Sequence, residues 1–364
     1  MEFAKENIRY QAKSMLEDYL DLNRRYLGLT NCFIFNEKKV ELDIVPKQLF
    51  NSAISELYKQ AYKKSDLRFK RSSLEEICPA LIFNEENIIK GINRDLGSNV
   101  NNIKAAYNEV DRLRYERFNK LIDSKFTDEK LLALLYKFEL RSDDEICRMV
   151  TENADVPTIF EYILGIIWYK ISEKKGKILD YFKLSLDANL LPVTHAGGGE
   201  ADIVYEYDST SNYPEHNLLL EATLADSTNQ RRMEMEPVSR HLGNHLLRTN
   251  NINTYCVFVT TFLHINVIGD FRGRKNLIYC DPQNPDKWIT GMKIIPLSTE
   301  DLKNIIEYNI TYSYLYQYFA DAHKSNEFHP QKWYDNCIKI KNAQIIKANS
   351  RMSMVAEKKP PKYR

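Results

Sequence analysis

Three apolar segments in the second half of the chain constrain the fold more than anything else in it. They read ADIVYEY (201–207), NLLLEATL (217–224) and TYCVFVTTF (254–262). Each is a short run rich in β-branched, aromatic and aliphatic residues, as a strand is. The first alternates and suits a half-solvated strand. The third has no polar face and suits a strand buried on both sides. Polar DSTSNYPEH separates the first two and carries a proline, a turn signal. NLIYC (276–280) and GMKIIPL (291–297) read as two more strands, giving a mixed sheet of about five.

Helical patterns surround this region. TIFEYILGIIWYKIS (158–172) is an apolar helix in which Phe160, Leu164, Ile167 and Ile171 share a stripe and Glu161 is the one acid. STEDLKNIIEY opens a helix with Ser298 and Asp301 at capping-box spacing. The first 150 residues are mostly α. Residues 4–27 read as a long helix, CFIF and VELDI as a short β pair around NEKK, and several segments from 47 onward as helices. The expected organisation is a helical N-terminal region over 1–150, an α/β domain with a mixed β-sheet flanked by helices over 151–345, and a basic tail over 346–364.

Composition excludes several classes. With 43% hydrophobic and 28% charged residues in 364, the chain reads as globular. No window approaches the ~18 consecutive apolar residues of a membrane-spanning helix, and MEFAKENIRYQ has no secretory core. Six cysteines without a CxxC pair suit free thiols in a reducing, cytoplasmic setting. The net charge of +1 points to no partner, so a nucleic-acid surface must be local. YKQAYKKSDLRFKR (58–71), with six cations against Asp66, is either a solvated face or a phosphate contact.

The candidate chemistry lies in LPVTHAGGGEADIVYEY, where Gly197, Gly198 and Gly199 precede Asp202. A phosphate-cradling glycine loop follows a strand and opens a helix; this one precedes a strand. Glu221 lies 19 residues after Asp202, a separation that suits two antiparallel neighbours. A carboxylate at the end of the buried run LLL is costly unless a cation compensates it. Two adjacent carboxylates point to a hard divalent ion. His241 and His245 in HLGNH have zinc-pair spacing, but no HExxH glutamate or nearby cysteine completes a site; ordinary helix histidines are the simpler reading.

An Asp, then a Glu-x-(Lys/Thr) on the next strand, resembles the PD-(D/E)xK nuclease fold. GGGEADIVYEY, LLLEATL and QRRMEMEPVSRHLGNH more narrowly resemble the AlwI-type restriction endonucleases, relatives of type IIS and strand-nicking enzymes. LDLNRRYLGLTNCFIF (20–35) extends the likeness, which runs from about residue 20 to about 320. It implies a type II restriction endonuclease that hydrolyses double-stranded DNA with Mg2+. Asp202, Glu221 and Glu161 match the family's metal-binding acids. Thr223, Gln230 and Glu234 match further catalytic positions, Thr223 standing where the wider fold has lysine. Gln230 and Glu234, four apart, share a face if helical, with Pro237 kinking or starting a helix beyond them. In the family the NRRYL stretch lies behind a separate recognition region. The chain is thus expected either to be truncated at its start or to work with a second nuclease subunit or as a homodimer on DNA. A nicking enzyme and a DNA-binding subunit with a degenerate site are the alternatives.

Overall fold

In a computed structural model, residues 32–35, 40–51, 53–60, 84–195, 199–225 and 227–341 are described, with positions 15, 27 and 79. The helix expected over 4–27, most of the basic segment 58–71, Gly197, Gly198 and the basic tail lie outside these residues. The chain divides into two compact units, Met1–Asp123 with Leu186–Val193, and Ser124–Ser185 with Thr194–Arg364.

Among its described residues the first unit consists of helices, short strands and the loops between them. β1 (Phe33–Phe35) pairs antiparallel with β2 (Val40–Leu42), Phe33 opposite Leu42. Helices α1 (Ile44–Asn51), α2 (Ile54–Gln60) and α3 (Glu85–Leu96) follow, then α4 (Ile103–Lys125), which runs on into the second unit. Helix α3 starts where the Asn84 side chain accepts from the Asn87 amide and stops at Gly97, whose φ of 64° a side chain would strain. Its Ile88 and Ile92 are buried with Ala106 of α4, and Val45, Val100 and Val110 pack on them.

The second unit is built on a mixed sheet. After α5 (Asp128–Leu140) and α6 (Asp143–Met149) comes α7 (Val156–Ile171), capped by Asp155, which accepts from the Thr158 amide at 3.0 Å. The single stripe expected on this helix is instead burial nearly all round, Glu161 included. A helix apolar on every side belongs inside a protein. A short α8 (Ile178–Tyr181) and the ladder of β3 (Ser185–Leu186) and β4 (Pro192–Thr194) lead to the sheet. There β5 (Ile203–Tyr207) pairs antiparallel with β6 (His216–Thr223), Ile203 opposite Leu220. Beyond α9 (Ser227–Met233) and α10 (Met235–Thr249), β7 (Tyr255–Thr260) runs parallel to β6.

Helix α11 (Ile265–Gly273) follows, and then β8 (Tyr279–Cys280) and β9 (Trp288–Ile289) pair only with each other among the described residues. β10 (Ile294–Ser298) closes the sheet parallel to β7, in the order β10-β7-β6-β5. The sheet thus has four strands, not about five. NLIYC contributes only its last two residues as strand, and they leave for a separate ladder, with Asp281 and Lys287 closing a tight hairpin. α12 (Thr299–Glu307) starts with both arms of its capping box made: Ser298 Oγ accepts from the Asp301 amide and Asp301 Oδ2 accepts from the Ser298 amide. α13 (Tyr312–Lys324), α14 (Pro330–Trp333) and a π-helical turn (Tyr334–Ile338) are the last described elements.

Alternation sorts the two faces of the sheet. Leu219, Cys256, Phe258 and Ile294 face Val238, Leu242 and Leu246 of α10 and Val267 and Phe271 of α11. The opposite face carries Ile203, Tyr205 and Tyr207. There Trp168 of α7 donates to the Tyr207 hydroxyl at 3.1 Å, and the Tyr312 ring of α13 stacks on Tyr207, centroids 3.8 Å apart. α7 reaches the start of β5 because residue 165 is glycine: a Cβ there would lie 2.3 Å from the Phe182 ring and 3.0 Å from Ile203.

Candidate active site

The β5–β6 register places Asp202 one residue before the Ile203–Leu220 pair, beside Glu221. The Ala222 amide donates to Asp202 Oδ2 at 2.8 Å, pinning that carboxylate across the strands. Glu221 lies on the face that carries Leu219, and it is buried. There α10 meets it: His241 Nδ1 stands 2.7 Å from Glu221 Oε1.

Glu234 sits at the break between α9 and α10, and its Oε1 accepts from Thr223 Oγ1 at 2.7 Å. Glu161 is buried on α7, one turn before Gly165 on the face turned to β5.

These acids feel one another. Burial pushes the Asp202 carboxyl well above its ordinary range, and the charges of Glu221 and Glu234 add to that. Burial, then Glu234 and Glu161, do the same to Glu221. Burial also raises Glu234, against the Thr223 hydrogen bond. The His241 imidazole is held down by burial and by Arg240 beside it, so it favours the neutral form. Its Nε2 is buried without a hydrogen-bond partner among the described residues. If Nδ1–H donates to Glu221, that nitrogen carries a lone pair.

A cavity of about 300 Å³ continues from this point between the sheet and α10, lined by His241, His245, Arg248, Asn217, Lys183 and Glu200 among others. Gly199 lies on its rim with a φ of 103° and open space where a Cβ would be. Backbone conformation, not crowding, therefore requires glycine at this last of the three positions.

The structure brings Asp202, Glu221, Thr223, Glu234 and Glu161 to one region. Gln230 makes no side-chain hydrogen bond to these groups among the described residues, though its side chain bonds Thr260, the β7 partner of Thr223. Its backbone carbonyl does accept from the Glu234 amide at 3.0 Å, the helical spacing expected. Its amide group, however, donates to Thr260 and Phe262 and accepts from the His264 amide at 2.9 Å, tying down the segment after β7. Pro237 falls in the first turn of α10, where a missing N–H costs nothing. His241 and His245 do not pair: His245 contacts Asn217 at 3.0 Å and Arg248 at 3.3 Å. His241 is the member that sequence reasoning set aside. Only the helix register after Pro237, which lays residue 241 over the end of β6, could have signalled it.

As oriented, no three His, Cys, Asp or Glu side chains among the described residues converge on a common point as a metal shell does. The donor chemistry nevertheless fits a hard cation. Three acids lie together, and each hydrogen bond named above occupies one of a carboxylate's two oxygens.

The AlwI restriction endonuclease family matches residues 2–305, and the chain belongs to that family. It is therefore a site-specific deoxyribonuclease, a restriction endonuclease that acts on DNA. Among solved structures it is similar to the small subunit of the heterodimeric restriction endonuclease R.BspD6I. The two are 17% identical, with a TM-score of 0.40 over 60% of this chain and 98% of that one. No curated protein sequence matches. No helix among the described residues is long and apolar enough to cross a membrane.

Proposed function

We propose that the chain is a Mg2+-dependent type II restriction endonuclease of PD-(D/E)xK kind, with Asp202 and Glu221 as its cleaving pair. The observation that carries this is the Ala222–Asp202 hydrogen bond, which sets the two acids side by side at the ends of adjacent strands. A buried and a partly buried carboxylate so placed repel, and a divalent cation would relieve both the repulsion and the desolvation. A cation held by Asp202 and Glu221 would supply a nucleophilic water at neutral pH and charge neutralisation on the phosphate.

The chain's own residues do the rest. The Ala222 amide fixes Asp202, and His241 fixes Glu221. Glu234 and Glu161 add negative charge that draws the cation to this end of the sheet. The hydrogen bonds hold these groups before substrate arrives, so little reorganisation is left to the reaction. Asp202→Ala tests this assignment: cleavage lost with DNA binding retained supports it, and cleavage retained excludes it. A wild-type chain that binds DNA but never cuts, even with the second centre supplied, would make it a binding subunit instead.

A duplex has two strands of opposite polarity, and one carboxylate centre addresses one at a time. We therefore infer that double-strand cutting needs a second centre, from another copy or another nuclease subunit. Alone on plasmid DNA with Mg2+, the chain is expected to give weak or no site-specific cutting. Clean fragments at one motif would sink that inference, and uniform nicks would make the chain a strand-nicking enzyme.

A further inference from the structure

Thr223 stands where the wider nuclease fold places a charged lysine, and a hydroxyl cannot supply that charge. Two observations give it different work. Its hydroxyl is committed on both sides, donating to Glu234 Oε1 at 2.7 Å and accepting from the Ala225 amide at 3.1 Å. The proton that would contact a phosphate is thus already spent.

The second observation concerns Glu234. It occupies the residue before α10, with φ −115° and ψ −32°. That conformation is helical, not the extended one of a capping residue, and the third helical position is Pro237, which has no N–H to cap. The Glu234 side chain makes no cap. It crosses instead to the end of β6, where burial penalises its charge and the Thr223 hydrogen bond supports it. A partly buried carboxylate held among other carboxylates is the local conflict expected where function overrides stability.

We propose that Thr223 is a positioning residue that holds the Glu234 carboxylate beside Asp202 and Glu221 and does not itself touch DNA. This rests on Asp202 and Glu221 being the metal-binding pair. Orienting partners of metal ligands typically change affinity 10–100-fold, so Thr223→Val, which keeps the shape and removes the hydroxyl, should weaken Mn2+ binding by about tenfold.

The test is calorimetric titration of the full chain with Mn2+, with metal-free thermal unfolding as a check on folding. Thr223→Ser should bind close to wild type, because it restores the hydroxyl. Glu234→Gln should weaken binding, and Thr223→Val in that background should weaken it no further. Wild-type affinity in Thr223→Val, or losses that simply add in the double variant, would overturn the proposal. Glu221→Ala separates the levels. If it loses Mn2+ while Thr223→Val does not, only the positioning role fails. If it binds Mn2+ and cleaves like wild type, the assignment of the cleaving pair fails first.

Discussion

His241 Nδ1 lies 2.7 Å from Glu221 Oε1, so α10 locks the more buried of the two paired acids. Removing such a partner leaves a buried carboxylate with a hydrogen bond unmade. His241→Ala is expected to lower cleavage by roughly 10–100-fold, the range for lost orienting partners of metal ligands, with circular dichroism unchanged. Full activity in that variant would mean that the contact does not serve the reaction.

The crowded acids make the metal-free protein sensitive to pH. Asp202, Glu221 and Glu234 all have raised folded-state pKa values. The folded chain therefore holds more protons than the unfolded one above the ordinary carboxylate pKa of about 4.3. Their contribution to stability is present below that pH and is lost as pH rises through the folded values. Glu221→Gln should thus raise the metal-free Tm near neutral pH by roughly 2–4 °C, a shift of order 1 kcal/mol, and should flatten its decline with pH. A lower Tm in Glu221→Gln would contradict the assigned direction.

Gly165 should resist substitution even though it is helical. Alanine gains about 1 kcal/mol in helix propensity, but overpacking costs about 1–3 kcal/mol. The Phe182 ring that blocks the Cβ is buried and stacked on Tyr162, centroids 5.5 Å apart, so it has little room to yield. Gly165→Ala should lower the urea midpoint and push α7, with Glu161, away from β5. An unchanged or higher midpoint would show that the ring moves freely.

Gln230 should behave as an anchor of the β7–α11 connection. It is fully buried, and its amide bridges Thr260, Phe262 and His264. Gln230→Ala leaves those groups unsatisfied, at about 1–3 kcal/mol each where they are buried. Its Mn2+ affinity, measured below its own unfolding temperature, should stay close to wild type. A selective loss of metal binding at full stability would return Gln230 to the catalytic centre.

The strands were legible because a short β-branched or aliphatic run is a local signal: the segments holding Ile203, Leu219 and Val257 became strands, and Asp202 and Glu221 fell on neighbours as their spacing implied. NLIYC was misjudged for a physical reason. A short apolar run does not say which strand it will pair with, and Tyr279 packs on Gly243 of α10 and donates to Asn244 instead of joining β10. Glu161 and Glu234 were suggested by family resemblance, and their nearness to Glu221 is a tertiary fact that periodicity does not contain. The same holds for His241, whose role depends on how α10 crosses the sheet, and for Gln230, whose partners lie 30–34 residues away.

The central claim is that Glu221, paired with Asp202, belongs to the centre that cuts DNA. Run-off sequencing of DNA incubated with Mg2+ and the chain, together with any second subunit it requires, tests it most directly. Wild type should give ends at a fixed offset from one sequence motif. Glu221→Ala, folded by circular dichroism, should give none above background. The same ends at comparable yield from Glu221→Ala would place the cleaving centre elsewhere in the molecule.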